Sequence, residues 1–192
     1  NVGGTEYYNT FQRRLEENDG DRTLYIVDLE IIAHEYIDAV EPNLWKIQKT
    51  TPTIAECIEK ATTTVNALLK NFISEIHTYE DDIEEIIDVE IYCDEFIVVN
   101  GVDIPLPCHA KIDLVVKTKS GKTAIIDHKS KNAFSSEEEI SLSIGIQAIT
   151  YVDSYESKTG LEIDEVWFVE NKYSQNRDKS PQLVSFKVSL DK

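Results

Sequence analysis

Ile112-Asp113-Leu114-Val115-Val116 and, after a short break, Ala124-Ile125-Ile126-Asp127-His128-Lys129 decide the reading of the whole chain. Both segments are rich in β-branched residues that suit a pleated sheet, and Ser120-Gly121 between them supplies turn residues able to take positive φ. The two therefore read as strands joined by a tight antiparallel connection. Upstream, Val89-Glu90-Ile91 and Phe96-Ile97-Val98-Val99 have the same character, and Asn100-Gly101 offers a second short turn, so three consecutive antiparallel strands are expected. Downstream, Ile140, Ile144, Gln147, Ile149 and Tyr151 predict a helix over 137–157, followed by two strands near 166–169 and 183–188.

Toward the N-terminus the period is helical. Tyr7, Tyr8, Phe11 and Leu15 predict a short first helix, and Ile26, Leu29, Ile32, Ala33, Tyr36 and Ile37 a second one ending before Glu41-Pro42. A long amphipathic helix is expected over 53–79, with Thr53 as N-cap and Glu56 three residues on as its capping-box partner. The fold class is α/β: a mixed central sheet of about five strands with an antiparallel meander, N-terminal helices on one face and the 137–157 helix across the other. One domain is expected over 1–192, with a helical part over 1–80 and a catalytic core over 83–192.

The composition, 41% apolar and 29% charged, is that of a globular protein. No apolar run approaches the roughly 18 residues that span a bilayer, so no membrane role is expected. Nothing marks the N-terminus for secretion, which makes the cytoplasm the default compartment. Cys57, Cys93 and Cys108 are odd in number and widely spaced, which argues against a disulfide framework and a thiolate metal site. The chain has no Met and starts at Asn1, as a processed or incomplete copy of a longer product would.

A net charge of −17 counts against gripping a polyanion. Its distribution softens the objection: residues 80–95 hold nine acids and no base, whereas 111–131 hold six lysines against Asp113 and Asp127.

The two acids carry chemistry. On a strand, Asp127 and Lys129 point to one side while His128 points away, and Asp113 on the neighbouring strand can converge with them. Adjacent carboxylates repel unless a cation sits between them, and hard oxygen ligands select Mg²⁺ or Mn²⁺. A Lys beside such a metal holds an attacking water and offsets charge on phosphate oxygens, which is the equipment of phosphodiester hydrolysis.

In order and spacing these residues resemble the nuclease motif of the PD-(D/E)XK superfamily, and within it the RecB-like exonucleases, over about residues 83–151. The resemblance implies a restriction-endonuclease-like core in which Glu90, Asp113 and Asp127 hold the metal, Lys129 positions the nucleophile, and Gln147 and Tyr151 on the following helix face the DNA. Glu90 is preferred over Glu95, which lies on the same predicted hairpin. The resemblance also implies the His128 backbone carbonyl as a further ligand. His34 resembles the His that RecB-like members carry on an N-terminal helix, although Glu30 stands where those members carry Gly, and a plain surface histidine is the competing reading. The function implied is that of a Mg²⁺- or Mn²⁺-dependent deoxyribonuclease, an exonuclease of phage or recombination type, with DNA as partner and a helicase or recombination protein beside it.

Two motifs are set aside. Ser120-Gly121-Lys122-Thr123 is like the tail of a Walker A loop, but the earlier Gly is replaced by Val116 and the segment joins two strands. The iron-sulfur cluster of some RecB-like relatives needs four cysteines. A rival reading from another class is a non-catalytic nucleic-acid or protein interaction module that kept the fold, which the acidic total favours and the complete Asp-Asp-x-Lys set opposes.

Overall fold

The computed structural model describes residues 24–99, 101–139 and 145–190. The first helix expected from Tyr7 to Leu15 lies outside them, as does Asn100. Helix α1 (Leu24–Asp38) leads through a single 3-10 turn (Pro42–Leu44) to α2 (Ile54–Glu75), and a one-turn helix α3 (His77–Glu80) follows. The start of α2 is built as expected: Thr53 accepts from the Glu56 amide while the Glu56 side chain accepts from the Thr53 amide, satisfying two otherwise orphaned donors. The predicted end at residue 79 is corrected to Glu75, because Tyr79 N–H turns back to the Ile76 carbonyl and the chain re-forms as the separate turn α3.

Strand β1 (Ile83–Glu95) is followed by a two-residue ribbon, β2 (Val98–Val99) with β3 (Val102–Asp103), and then by β4 (Cys108–Thr118) and β5 (Thr123–Lys131). After the turn α4 (Glu137–Glu139) come α5 (Gly145–Thr159), β6 (Glu165–Lys172) and β7 (Leu183–Ser189). The main sheet has five strands in the order β1-β4-β5-β6-β7. β1-β4-β5 and β6-β7 pair antiparallel, and β5-β6 pair parallel across the crossover that carries α5. This is the mixed five-stranded sheet with an antiparallel meander that the sequence predicts.

The first hairpin is corrected. The acidic segment and Val89-Ile91 form one 13-residue edge strand that ends at Glu95, and Val98-Val99, expected with it, belongs to the separate ribbon. Two register shifts, at Ile83/Glu85 and Ile86/Asp88, break the strict alternation on which a strand is recognised. The charges themselves suit an edge, where they face water and discourage pairing with another chain. Gly101, at φ +77°, therefore lies between the strands of the β2-β3 ribbon rather than between β1 and β4. Gly121 does sit in the β4-β5 turn as expected, at φ +84°. The helix predicted over 137–157 is described in two pieces, α4 and α5, with Ile140 and Ile144 outside the described residues.

The core has two layers. On one face Ile73, Ile76 and Tyr79 pack on Val116, Ala124, Ile126, Trp167, Val169 and Leu183. On the other, Ala148, Tyr151, Val152 and Tyr155 of α5 pack on Ile112, Ile125, Val166 and Phe168. β5 is covered on both sides, which is why Ala124-Ile125-Ile126 is a continuous apolar run and not an alternating one.

Candidate active site

The β4-β5 ladder pairs Lys117 with Thr123, Val116 with Ala124, Val115 with Ile125 and Leu114 with Ile126, and there it stops. One step further the same register sets Asp113 opposite Asp127. The strands separate at that point, and the Asp113 carboxylate does the work of the missing ladder acceptor: its Oδ2 accepts the His128 backbone N–H at 2.8 Å. The acid is thus fixed by the backbone of the Asp-His-Lys segment itself.

Asp127 is buried, at 3% exposure, in the middle of β5, and the three residues before it are all in the core. Its Oδ1 accepts from the Tyr151 hydroxyl at 3.0 Å, and the Gln147 side-chain amide donates to the Tyr151 oxygen at 2.7 Å. Gln147 and Tyr151 lie one turn apart on α5 and so share a face. Burial, then the neighbouring Asp127 charge, push the Tyr151 phenol far above its ordinary pKa, so it remains a donor. Lys129 Nζ lies 2.8 Å from Asp127 Oδ2. That oxygen is nevertheless buried without a well-directed hydrogen bond. The ammonium supplies charge, and the lone-pair directions of Oδ2 are left over.

His128 points to the opposite face, as alternation requires. Its Nε2 is 2.9 Å from the Tyr79 hydroxyl, and its ring packs edge-on to Phe72 with centroids 6.0 Å apart. Desolvation in this contact lowers its pKa, against the smaller opposing pull of Asp113 and Asp127.

Glu90 lies on β1 between Val89 and Ile91, which pair with Leu114 and Ile112, so the register puts it across from Asp113. It is one of two described non-glycine residues with positive φ, at 54°, a conformation that costs of order 1–3 kcal/mol and tends to persist where function over-determines it. Its carboxylate pairs with Lys111, whose pKa is raised by that contact. Glu95 is five residues away and pairs with Lys158 at 3.8 Å. His34 is engaged elsewhere: its Nε2 is 3.0 Å from Asn66 Oδ1, linking α1 to α2. Among the described residues no three His, Cys, Asp or Glu side chains close around one point.

Two further acids were not foreseen. Tyr155, one turn beyond Tyr151, donates to Asp88 on β1, so two tyrosines of one helix face each hold a carboxylate on a different strand. Glu170, fully buried, stands beside Lys129 in the β5-β6 register. It accepts from the Ser135 amide at 2.7 Å and from the Ser135 hydroxyl, and Lys131 Nζ is 3.4 Å away. The segment after β5 is thereby tied down beside the site. The signal was present in the sequence: Glu170 ends the apolar run Val166-Trp167-Phe168-Val169 just as Asp127 ends Ala124-Ile125-Ile126.

A family model of the PD-(D/E)XK nuclease superfamily matches residues 7–185. The chain belongs to that superfamily. PD-(D/E)XK nucleases generally use divalent metal ions and act on nucleic acid, so the function here is of the nuclease type. No curated protein matches. Among solved structures, one titled "Crystal structure of SSO0001" is similar over 100% of this chain and 82% of that one, at 13% identity and a TM-score of 0.40, a likeness too slight to build on. No helix among the described residues is long and apolar enough to cross a membrane.

The donor set fits the ion that this PD-(D/E)XK chain would be expected to bind. Asp113 and Asp127 offer hard carboxylate oxygens on adjacent strands, and Asp127 Oδ2 is a buried acceptor lacking a directed donor. Mg²⁺ is commonly held by one or two carboxylates, with water and substrate phosphate completing its shell, so two converging acids are enough.

Proposed function

We propose that the protein is a metal-dependent deoxyribonuclease, of the exonuclease kind found in RecB-like members, that hydrolyses DNA phosphodiester bonds at the open end of the β4-β5 pair. One observation carries the reading: Asp127 is buried with Tyr151 on one oxygen and Lys129 beside the other, while Asp113 is locked to the same backbone. In this account Asp113 and Asp127 hold Mg²⁺ or Mn²⁺, with the His128 carbonyl as a further oxygen. Glu90 joins when its carboxylate exchanges Lys111 for the ion, and His34 joins only by giving up Asn66. The ion supplies a more acidic water and stabilises charge on the phosphate oxygens.

The chain's own residues do the rest. Lys129 sets a positive charge beside the reacting phosphate and orients the attacking water. Tyr151 keeps Asp127 in one rotamer, and Gln147 keeps Tyr151 in turn while its remaining polar atoms face the strand. Lys111 and Lys131 lend positive charge on either side of two acids. A phage or recombination setting, with a helicase or recombination protein as partner, is the context that the RecB-like resemblance suggests.

The test is degradation of end-labelled linear and closed circular DNA, single- and double-stranded, with Mg²⁺, Mn²⁺ or EDTA. Metal-dependent loss of linear DNA with circular DNA left intact is the expected result. Cutting of circles makes the enzyme an endonuclease, and absence of cutting under every condition favours the non-catalytic interaction module.

A further inference from the structure

A cavity of about 470 Å³ opens between the turn that precedes α2, the first half of α2 and the end of β6. Trp45 and Tyr173 contribute rings to its lining, and Tyr173 is 39% exposed. The charged residues that line it are Lys46 and Lys60, with no acid, in a chain of 36 acids and 19 bases. Gln48 and Val65 add a polar and an apolar wall. Aromatic faces for bases and ammonium groups for phosphates are the two components by which proteins hold single strands without reading sequence.

The cavity also continues the active-site edge. Tyr173 N–H donates to the carbonyl of Lys131, two residues past Lys129. A smaller cavity of about 160 Å³ is lined by Phe72, His128, Lys129, Ser130, Val169 and Asn171. Alternate residues of β6 run from Val169 through Asn171 toward Tyr173 on that face, about 13 Å at strand spacing. Along α2, Phe72 leads over two turns to Val65 and over one more to Ala61, both of which line the larger cavity. Between the two cavities Asn171 donates to the Leu68 carbonyl and Asn71 to that of Lys172, so helix and strand are bridged there and the cavities flank the bridge on one face of the sheet.

We infer that this cavity is a subsite for single-stranded nucleic acid, which stacks a base on Trp45 or Tyr173, sets its phosphates on Lys46 and Lys60, and leaves the strand at the end of β5, where Tyr173 meets Lys131. The inference rests on the nuclease reading above. It adds a substrate form, a strand that is single where it meets the protein, and assigns binding residues outside the Asp-Asp-x-Lys cluster.

The experiment is a titration with a short oligothymidylate in EDTA, so that no cleavage intervenes, followed by tryptophan emission. Trp167 is 1% exposed, which leaves Trp45 as the responsive fluorophore. A saturable change in emission that disappears in Trp45→Phe is expected. Tyr173→Ala and the double change Lys46→Glu with Lys60→Glu each weaken binding by on the order of tenfold, read by anisotropy of a labelled strand. Lys119→Glu, in the turn at the far end of β4, leaves it unchanged. Both lysines are exposed, so their reversal tests the subsite even where an aromatic variant fails to fold. If the protein cuts DNA with metal but binds the strand equally well in all these variants, the subsite is wrong and the nuclease reading stands, leaving the cavity to a protein segment. If it neither binds nor cuts, both fall together.

Discussion

The hydroxyl of Tyr151 donates to Asp127 Oδ1 across the α5-sheet interface at 3.0 Å, joining a helix to the one carboxylate in the β5 core. An acid at 3% exposure is costly to keep charged, and a single neutral donor with one ammonium nearby offsets that cost only in part. The arrangement suits a group that completes its shell when a cation and substrate arrive.

Tyr151→Phe keeps the buried ring and removes the donor, so the fold should survive. Hydrogen bonds to charged groups contribute about 1.5–3 kcal/mol, and a loss of that size in the transition state lowers cleavage by roughly ten- to a hundredfold. Comparison of kcat/KM for the two proteins at equal Mg²⁺ checks this. An unchanged rate would free Tyr151 of any part in setting Asp127.

His128 makes stability depend on pH in a stated direction. Its folded-state pKa lies below the ordinary 6.5, so the unfolded chain binds the proton more readily. The stabilisation is therefore complete above about pH 6.5 and is lost as pH falls below it. In urea melts, His128→Asn should lose less stability between pH 7.5 and 5.5 than the parent does. A steeper fall in the variant would reverse the sign assigned here.

Glu170 and Lys131 are unequal partners. Lys131 is about one-third exposed and finds water if Glu170→Gln removes the charge, whereas Lys131→Met leaves a buried carboxylate with Ser135 alone. Both changes destabilise, by roughly 1–3 kcal/mol, with Lys131→Met the larger. Chemical denaturation of the two variants ranks them, and the opposite order refutes the pairing.

Thr53→Ala removes one half of the capping box and should cost about 1 kcal/mol in a thermal or urea melt. The double variant Thr53→Ala with Glu56→Ala should cost less than the sum of the two single changes, since the two bonds form together.

The candidate site was legible as an ordered set of residues rather than from any one of them. Asp113, Asp127, Lys129, Gln147 and Tyr151 were singled out through the resemblance to the PD-(D/E)XK motif, and the structure links them by the contacts Asp113–His128, Asp127–Tyr151, Asp127–Lys129 and Gln147–Tyr151. The five-strand sheet followed from composition and turns. The edge strand was not legible, since its bulges spoil the period of two and its charges imitate a loop. Glu170 ends an apolar run as Asp127 does, but its partners, Ser135 and Lys131, are far from it in sequence, so its burial and pairing were not readable. The engagement of Glu90 by Lys111 and of His34 by Asn66 are tertiary facts that no spacing encodes.

The most direct measurement is single-turnover cleavage by Lys129→Met beside calorimetric Mn²⁺ binding to the same protein. The account predicts that cleavage falls by about 10²–10³-fold while metal binds as tightly as before or more so, because Asp127 Oδ2 loses its competing ammonium. Cleavage by Lys129→Met at the parent rate, or a parent protein that binds no divalent metal, would contradict it.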